Sequence, residues 1–381
     1  MTEREQLEID SRGITPVHDD GFFIVRQALN SSVPGMYSVE PSEYTETIAN
    51  LDDKSLERLT NIQRQLRMVL KTKFDVAVCG LYVEEHPGKR LISYTIPFHI
   101  DRLSERFSVD VYQPYIEEYI KSYTYSVTGE TIKDFNSGIS GVLESELQDR
   151  DTDLVGSSDT NAHPVSGKSL TTEEIKEQKI EQVLEVFEEN ELPVAPSGKK
   201  YYVCIGGSKN FQCFLSDNSM SKGEFIFAHE NEIDDCLKPV YADDNVVVRQ
   251  DAKYAIPGFY IVSPRDHFRR IDETPRDVFE KCMFMVREVR QGLLNLGIEQ
   301  AHIYHDEKYK NPASVHFWIL PIYEEFVERN GINPTIFSKD IWRYLESFPK
   351  FSSNKPQIMD FNNKMRSYLN SKTPGSDETG V

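Results

Sequence analysis

Short apolar runs, broken by Pro-Gly turns and by one long helical stretch, follow each other in a fixed order along this chain. Gly21 to Gln27 (GFFIVRQ) predicts a strand, Pro34-Gly35 a turn, and Met36 to Glu40 a second strand that stops at Pro41. From Lys54 to Leu70, the residues Leu56, Leu59, Ile62, Leu66, Val69 and Leu70 recur near helical spacing and predict an amphipathic helix. Two further apolar runs, 74–83 and 91–100, predict two more strands.

The same order returns downstream. Val246 to Gln250 echoes Phe23 to Gln27, and Pro257 to Pro264 echoes Pro34 to Pro41. Arg249, Gln250, Pro257, Gly258 and Pro264 each lie 223 positions after Arg26, Gln27, Pro34, Gly35 and Pro41. A helix is predicted over 275–296, then a strand over 300–304 and another over 311–321. Matched by their histidines, the last strands drift: Arg26 to His99 spans 73 positions and Arg249 to His316 spans 67. An aromatic amphipathic stretch follows each, 112–123 and 337–348. The expected class is α+β, two tandem units of antiparallel sheet with a packed helix, related by a pseudo-two-fold. Their expected layout is a loose lead-in over 1–20, a first repeat over 21–123, and a flexible insertion or linker over 124–170, rich in Ser, Thr, Gly and Asp. A second repeat over 171–348 opens with a helix capped at Thr171 and includes strands over 201–205 and 224–228. A C-terminal extension over 349–381 ends in a polar tail from Ser371.

Charge and cysteine narrow the function classes. A net charge of −19 argues against general binding to nucleic acid or anionic membranes, while leaving room for a local basic pocket. The N-terminus shows no leader pattern and the chain no membrane-length apolar run, which points to the cytoplasm. The five cysteines are scattered with no C-x-x-C pair, so neither a disulfide framework nor a structural zinc site is expected. Cys204, Cys213, His229 and His267 are the remaining metal candidates, but eight residues between the cysteines is not a usual ligand spacing.

Candidate chemistry sits in the stretch from Asn311 to Pro321. On a strand, Ser314, His316 and Trp318 share one face, and Val315, Phe317 and Ile319 share the other, which suits a core. A lone histidine on such a strand is more often a hydrogen-bonded structural residue than a reactive one. Set within the repeat, the stretch resembles the histidine-triad (HIT) superfamily. The tandem arrangement is similar to galactose-1-phosphate uridylyltransferases and diadenosine-tetraphosphate phosphorylases. The family strand reads H-x-H-x-H, and here Ser314-Val-His316-Phe-Trp318 keeps only the middle histidine. Asp251 falls where the family places a ribose-binding Asp, and Pro264-Arg-Asp-His267 matches a P-x-x-H element. In the first copy those positions are Ala28 and Tyr44, so that copy reads as eroded. The zinc cysteine pair of the transferases is absent.

The resemblance implies a nucleotidyl transferase, phosphorylase or hydrolase acting on a nucleotide or nucleotide sugar, with no cofactor and no metal. In that reading His316 is the nucleophile and forms a covalent nucleotidyl intermediate. Asp251 holds ribose, His267 and Ser314 contact phosphate, Arg265 or Lys308 supplies counter-charge, and Trp318 replaces a histidine that supports the leaving group. The alternative is an inactive module that binds a nucleotide or a protein. His99 beside Asp101 reads as an ion pair, and His302 and His305 receive no role. The tandem copies are expected to pair within one chain, as a monomer or within a homodimer.

Overall fold

The computed structural model describes residues 16–28, 33–99, 116–123, 135–143, 235–251, 254–266, 268–307, 315–333, 335–348 and 351–372. The predicted helix from Thr171, the strands over 201–205 and 224–228 and the tail beyond Lys372 lie outside those residues. So do residues 1–15 of the lead-in, and most of the predicted linker.

Among the described residues ten strands form one sheet. They are β1 (His18–Asp19), β2 (Phe23–Gln27), β3 (Tyr37–Pro41), β4 (Val78–Glu84), β5 (Ile92–Phe98), β6 (Tyr241–Ala242), β7 (Val246–Gln250), β8 (Tyr260–Pro264), β9 (Gln300–Asp306) and β10 (Phe317–Ile322). Every pairing is antiparallel, in the order β1-β2-β3-β5-β4-β9-β10-β8-β7-β6. The order reads the same from both ends, strand for equivalent strand. This is the expected α+β duplication, with the two half-sheets fused through β4 and β9. The lead-in is shorter than expected, because His18 and Asp19 already pair with Val25 and Ile24.

The helices are α1 (Asp53–Phe74), α2 (Ile116–Tyr123), α3 (135–143), α4 (Arg276–Asn295), α5 (Glu324–Asn330), α6 (Asp340–Ser347) and α7 (Phe351–Lys372). Helices α1 and α4 are the predicted amphipathic pair, and both lie on one face of the sheet. Helices α3 and α7 were not foreseen. The first falls inside the segment expected to be a flexible linker, yet Ile139 and Leu143 are fully buried. The second carries Met365 and Leu369 into the same core and extends past Ser371, where the tail was expected to begin.

The offset of 223 extends well beyond the residues that revealed it. Phe23 pairs with Pro41 and Val246 with Pro264; Gln27 pairs with Tyr37 and Gln250 with Tyr260. The Gln27 amide donates to the Val33 carbonyl at 2.7 Å, and Gln250 donates to Ile256 at 2.8 Å. Gly35 and Gly258 turn with φ of 80° and 77°, a region costly for any side chain. A Cβ on either would also strike the long helix behind it, at Leu70 (2.8 Å) or Leu293 (3.0 Å).

After the helices the offset changes by single residues in the loops. Strands β4 and β9 are related by 222 positions, which sets Tyr82 opposite its own counterpart Tyr304 at the pseudo-dyad. Their rings stack with centroids 6.4 Å apart. Strands β5 and β10 are related by 224: Phe98 pairs with Val78 where Ile322 pairs with Gln300. The structural counterpart of His316 is therefore Ile92, and His99 corresponds to Tyr323. That corrects the match made through the histidines. Hydrogen bonds agree with the corrected register. The backbone N–H groups of His99 and Tyr323 donate to the hydroxyls of Tyr119 and Tyr344, which donate to the carbonyls of Pro97 and Pro321.

Two buried ion pairs cross between the copies. Arg67 of α1 grips Glu307 (Nε to Oε1 2.8 Å), and Arg290 of α4 grips Glu85. Arg290 follows Arg67 by 223 positions and Glu307 follows Glu85 by 222, so each copy's helix holds the carboxylate of the other. The spare guanidinium nitrogens are used symmetrically too, Arg67 donating to the carbonyls of Val76 and Ala77 and Arg290 to those of Ile298 and Glu299. Burial pushes the Glu307 carboxyl upward, opposed by the Arg67 guanidinium and by the Cys79 and Ile271 amides. Such a pair adds little net stability against an apolar replacement, but losing one partner strands the other's charge.

Candidate functional site

Alternation along each strand divides the sheet cleanly. Val315, Phe317 and Ile319 are fully buried against the long helices, as expected, and His316 and Trp318 project from the opposite face. That face carries its own core, built with Tyr119 of α2 and Ile341 and Tyr344 of α6. His316 immediately precedes β10 rather than lying in mid-strand, and its ring is half-buried. The His305 ring nitrogen Nδ1 lies 3.0 Å from the His316 carbonyl, and this contact pins the backbone at that point. His305, given no role by the sequence, is thus a support for His316.

Cross-strand register assigns His316 its neighbours. Phe317 pairs with Val262, so continuing by one residue sets His316 beside Ser263 on β8. Trp318 pairs with Tyr304, so continuing by two sets it beside Asp306 on β9. The Tyr82 hydroxyl donates to Asp306 Oδ1, across the boundary between the copies. Gly80 makes room for this arrangement: a Cβ there would come within 2.4 Å of the Tyr82 ring and 3.0 Å of Asp306. A carboxylate on the strand next to an imidazole can orient the ring.

One turn of the pleat further along lies a second row. Arg26, Ser38, Tyr94, Tyr82, Tyr304, Trp318, Ile261 and Arg249 face the same way, each paired with the next. Its middle is aromatic and each end is an arginine. The Trp318 ring stands edge-on to Tyr304 at 4.8 Å and to Phe259 at 6.1 Å, and tilts over His316 at 5.6 Å. Trp318 Nε1 and the Tyr304 hydroxyl are buried with no hydrogen-bond partner among the described residues. Burial raises the Tyr304 hydroxyl well above its usual range. Trp318 therefore offers a donor and no base.

The structure brings together His316 and Trp318 among the residues singled out from sequence. Asp251 shares their face at the end of β7, two strands away and beyond the Trp318 row; it is buried and accepts from the Tyr254 amide at 2.7 Å. Arg265 turns to the β6–β7 loop, donating to the Asp243 carbonyl at 3.3 Å with Asp244 at 3.8 Å. Ser314, His267 and Lys308 lie outside the described residues, as do Asp101 and Cys204, Cys213 and His229. Sequence reasoning missed Ser263, Asp306, Tyr82 and Arg249. Ser263 and Arg249 lie in the repeat segments already matched, where a comparison of copies would have shown Glu40 replaced by Ser263.

In the first copy the same positions hold Ile92 and Tyr94 in place of His316 and Trp318. Beside Ile92, Glu84 bonds His86 Nε2 at 2.8 Å, and His86 Nδ1 is 2.8 Å from the Gln300 amide. Burial acts to raise the Glu84 carboxyl, but the His86 hydrogen bond and the neighbouring His86 and His302 hold it below the usual range. Among the described residues no cluster of His, Cys, Asp and Glu has the geometry to hold a metal ion, and no helix is long and apolar enough to cross a membrane.

No protein-family model matches the chain. An uncharacterized HIT-like protein of Methanocaldococcus jannaschii is 33% identical over 92 residues, which are 23% of this chain and 70% of that protein. Among solved structures, an ADP-glucose phosphorylase from Arabidopsis thaliana with bound ADP-glucose aligns over 92% of this chain and 82% of its own, at 10% identity and a TM-score of 0.42. A uridylyltransferase mutant aligns over 89% and 79%, at 7% identity and a TM-score of 0.42. Likenesses of that strength say nothing of activity.

Proposed function

This chain belongs to the HIT-like family, and on that premise we propose that it transfers or cleaves nucleotidyl groups through His316. The observation that carries the reading is the half-buried His316 ring, tilted against Trp318 at 5.6 Å on a backbone pinned by His305, with Ser263 and Asp306 next to it by continuation of the strand register. In the proposed cycle an imidazole nitrogen attacks the α-phosphorus, a P–N bond forms, and the P–O bond to the leaving group breaks. Water, phosphate or a phosphorylated acceptor then attacks the same phosphorus and releases the imidazole. Asp306, itself held by Tyr82, stabilises the charge that the ring acquires. Asp251, at the far side of the Trp318 row, remains the proposed sugar contact, and His267 and Ser314 the proposed phosphate contacts. Trp318 has no proton to give at neutral pH, so this site favours leaving groups that depart as stable anions, such as pyrophosphate or a nucleoside phosphate.

The donor-only indole at Trp318 favours one second reading, a module that binds nucleotides without turning them over. Phosphate-bond cleavage across dinucleoside polyphosphates, nucleoside triphosphates and sugar nucleotides, with and without added phosphate, separates the two. The catalytic reading expects turnover that disappears in His316→Ala with nucleotide binding retained. Saturable binding without turnover supports the module, and turnover indifferent to His316 removes the mechanism.

A further inference from the structure

The two ends of the arginine-capped row differ in one consequential way. In the first copy Arg26 Nε lies 3.9 Å from Glu40 Oε1, and Glu40 also accepts from Ser38 at 3.2 Å. The register is identical in the second copy, where Arg249 takes the place of Arg26 and Ser263 that of Glu40. Both are about 2% exposed, and Arg249 Nε and Ser263 Oγ have no hydrogen-bond partner among the described residues. Burial lowers the Arg249 guanidinium to about 10, with Asp251 opposing, so it stays cationic at neutral pH. One of its nitrogens is used, Nη1 donating to the Gln250 carbonyl at 3.1 Å. A buried guanidinium N–H and a buried hydroxyl without hydrogen-bond partners are costly unless something supplies acceptors. The position that holds a carboxylate in one copy holds a smaller hydroxyl in the other, on the strand next to His316.

We propose that Arg249 and Ser263 form an anion subsite that takes phosphate oxygens of the ligand, in the place Glu40 fills in the first copy. The inference rests on the His316 reading for its location and goes beyond it by naming two further binding residues and the group they take. A guanidinium gives two parallel N–H donors to a phosphate and the hydroxyl gives a third, on the strand next to His316. The phosphate belongs to the leaving group or to a free phosphate acceptor, two sources of one chemistry.

The test is calorimetric titration of the full chain with inorganic pyrophosphate and, separately, inorganic phosphate. The variants are Arg249→Met, Ser263→Glu and Ser263→Ala, with Arg26→Met as the first-copy control. Arg249→Met and Ser263→Glu should each weaken pyrophosphate binding by about tenfold or more. Ser263→Ala should weaken it several-fold, and Arg26→Met should leave it within about twofold. Ser263→Glu should also melt at or above the wild-type temperature, because it restores the carboxylate that Arg249 lacks; that result guards against reading misfolding as lost affinity. Tighter pyrophosphate than phosphate binding places the leaving group there, and phosphate binding that also stimulates turnover places the acceptor; both support the subsite. A wild type that binds neither anion overturns it, as do variants that bind as tightly as wild type. Turnover that ignores His316 sinks the reaction but leaves the anion result standing, so the two failures are distinguishable.

Discussion

The first and second copies share a frame and differ in what the frame presents. Strand pairing, the Pro-Gly turn, the buried Gln27 and Gln250 amides and the reciprocal arginines repeat almost bond for bond. On the open face the copies diverge: Ile92 and Tyr94 stand against His316 and Trp318, Glu40 against Ser263, and Ala28 against Asp251. In the first copy Arg26 Nε lies 3.9 Å from Glu40, whereas in the second a hydroxyl, Ser263, stands in the place of that carboxylate. In the proposed reading, duplication lets one copy carry the chemistry while the other supplies packing and, through Tyr82 and Gly80, contacts to Asp306.

The largest effect tests where the chemistry lies. His316→Ala should lower turnover by on the order of 10³-fold or more. Adding Ile92→His to that variant should restore nothing, because the counterpart of Ser263 is Glu40 and the counterpart of Asp306 is Glu84, already bonded to His86; rescue would break the contrast between the copies. Next come the crossed ion pairs. Arg67→Met and Arg290→Met should each destabilise the fold by about 3–5 kcal/mol in denaturant unfolding, since each strands a buried carboxylate. Near-equal losses would sharpen the symmetry, and a loss confined to one side would break it. Gly80→Ala is a smaller step. It should displace Tyr82 from Asp306 and cut kcat by about tenfold with little change in nucleotide affinity.

The smallest effect concerns an asymmetry within the frame. Asp272, whose counterpart is Ala49, lies 3.3 Å from Arg67 and near Lys71. Burial acts to raise its carboxyl, but Lys71, Arg67 and Arg270 hold it below the usual range. A lowered folded value means stability present above the unfolded carboxylate value and lost as pH falls through the folded one. Asp272→Asn should therefore be less stable than wild type near neutrality, with the gap closing below about pH 4. A gap independent of pH would remove the charge from the explanation.

Much of the frame was legible because backbone requirements leave marks in sequence. Pro-Gly at a positive-φ turn, strand-period apolar runs and the helical stripes of α1 and α4 survive in both copies at one offset. The register of the histidine strands was not legible. Loop changes of single residues shift the offset to 222 and then 224, so matching letter to letter aligned His99 with His316 while pairing aligns it with Tyr323. The crossed arginines were hidden for another reason. A charged residue in a helix reads as its solvent face, and only the fused sheet shows Arg67 and Arg290 buried. At the site, the His316 face and its buried opposite were readable from alternation. Ser263 and Asp306 were not, because they reach His316 through neighbouring strands.

The central claim is a covalent nucleotidyl group on His316 and on no residue of the first copy. Intact-mass spectrometry of the full chain, quenched in alkali during turnover of the best substrate in the panel, reads it directly, because a histidine phosphoramidate survives alkali and is lost in acid. The account predicts one nucleotidyl mass added to wild type, mapped to His316 by fragmentation, acid-labile, and absent from His316→Ala. Turnover with no adduct at any quench time, or an adduct that persists in His316→Ala, would contradict it.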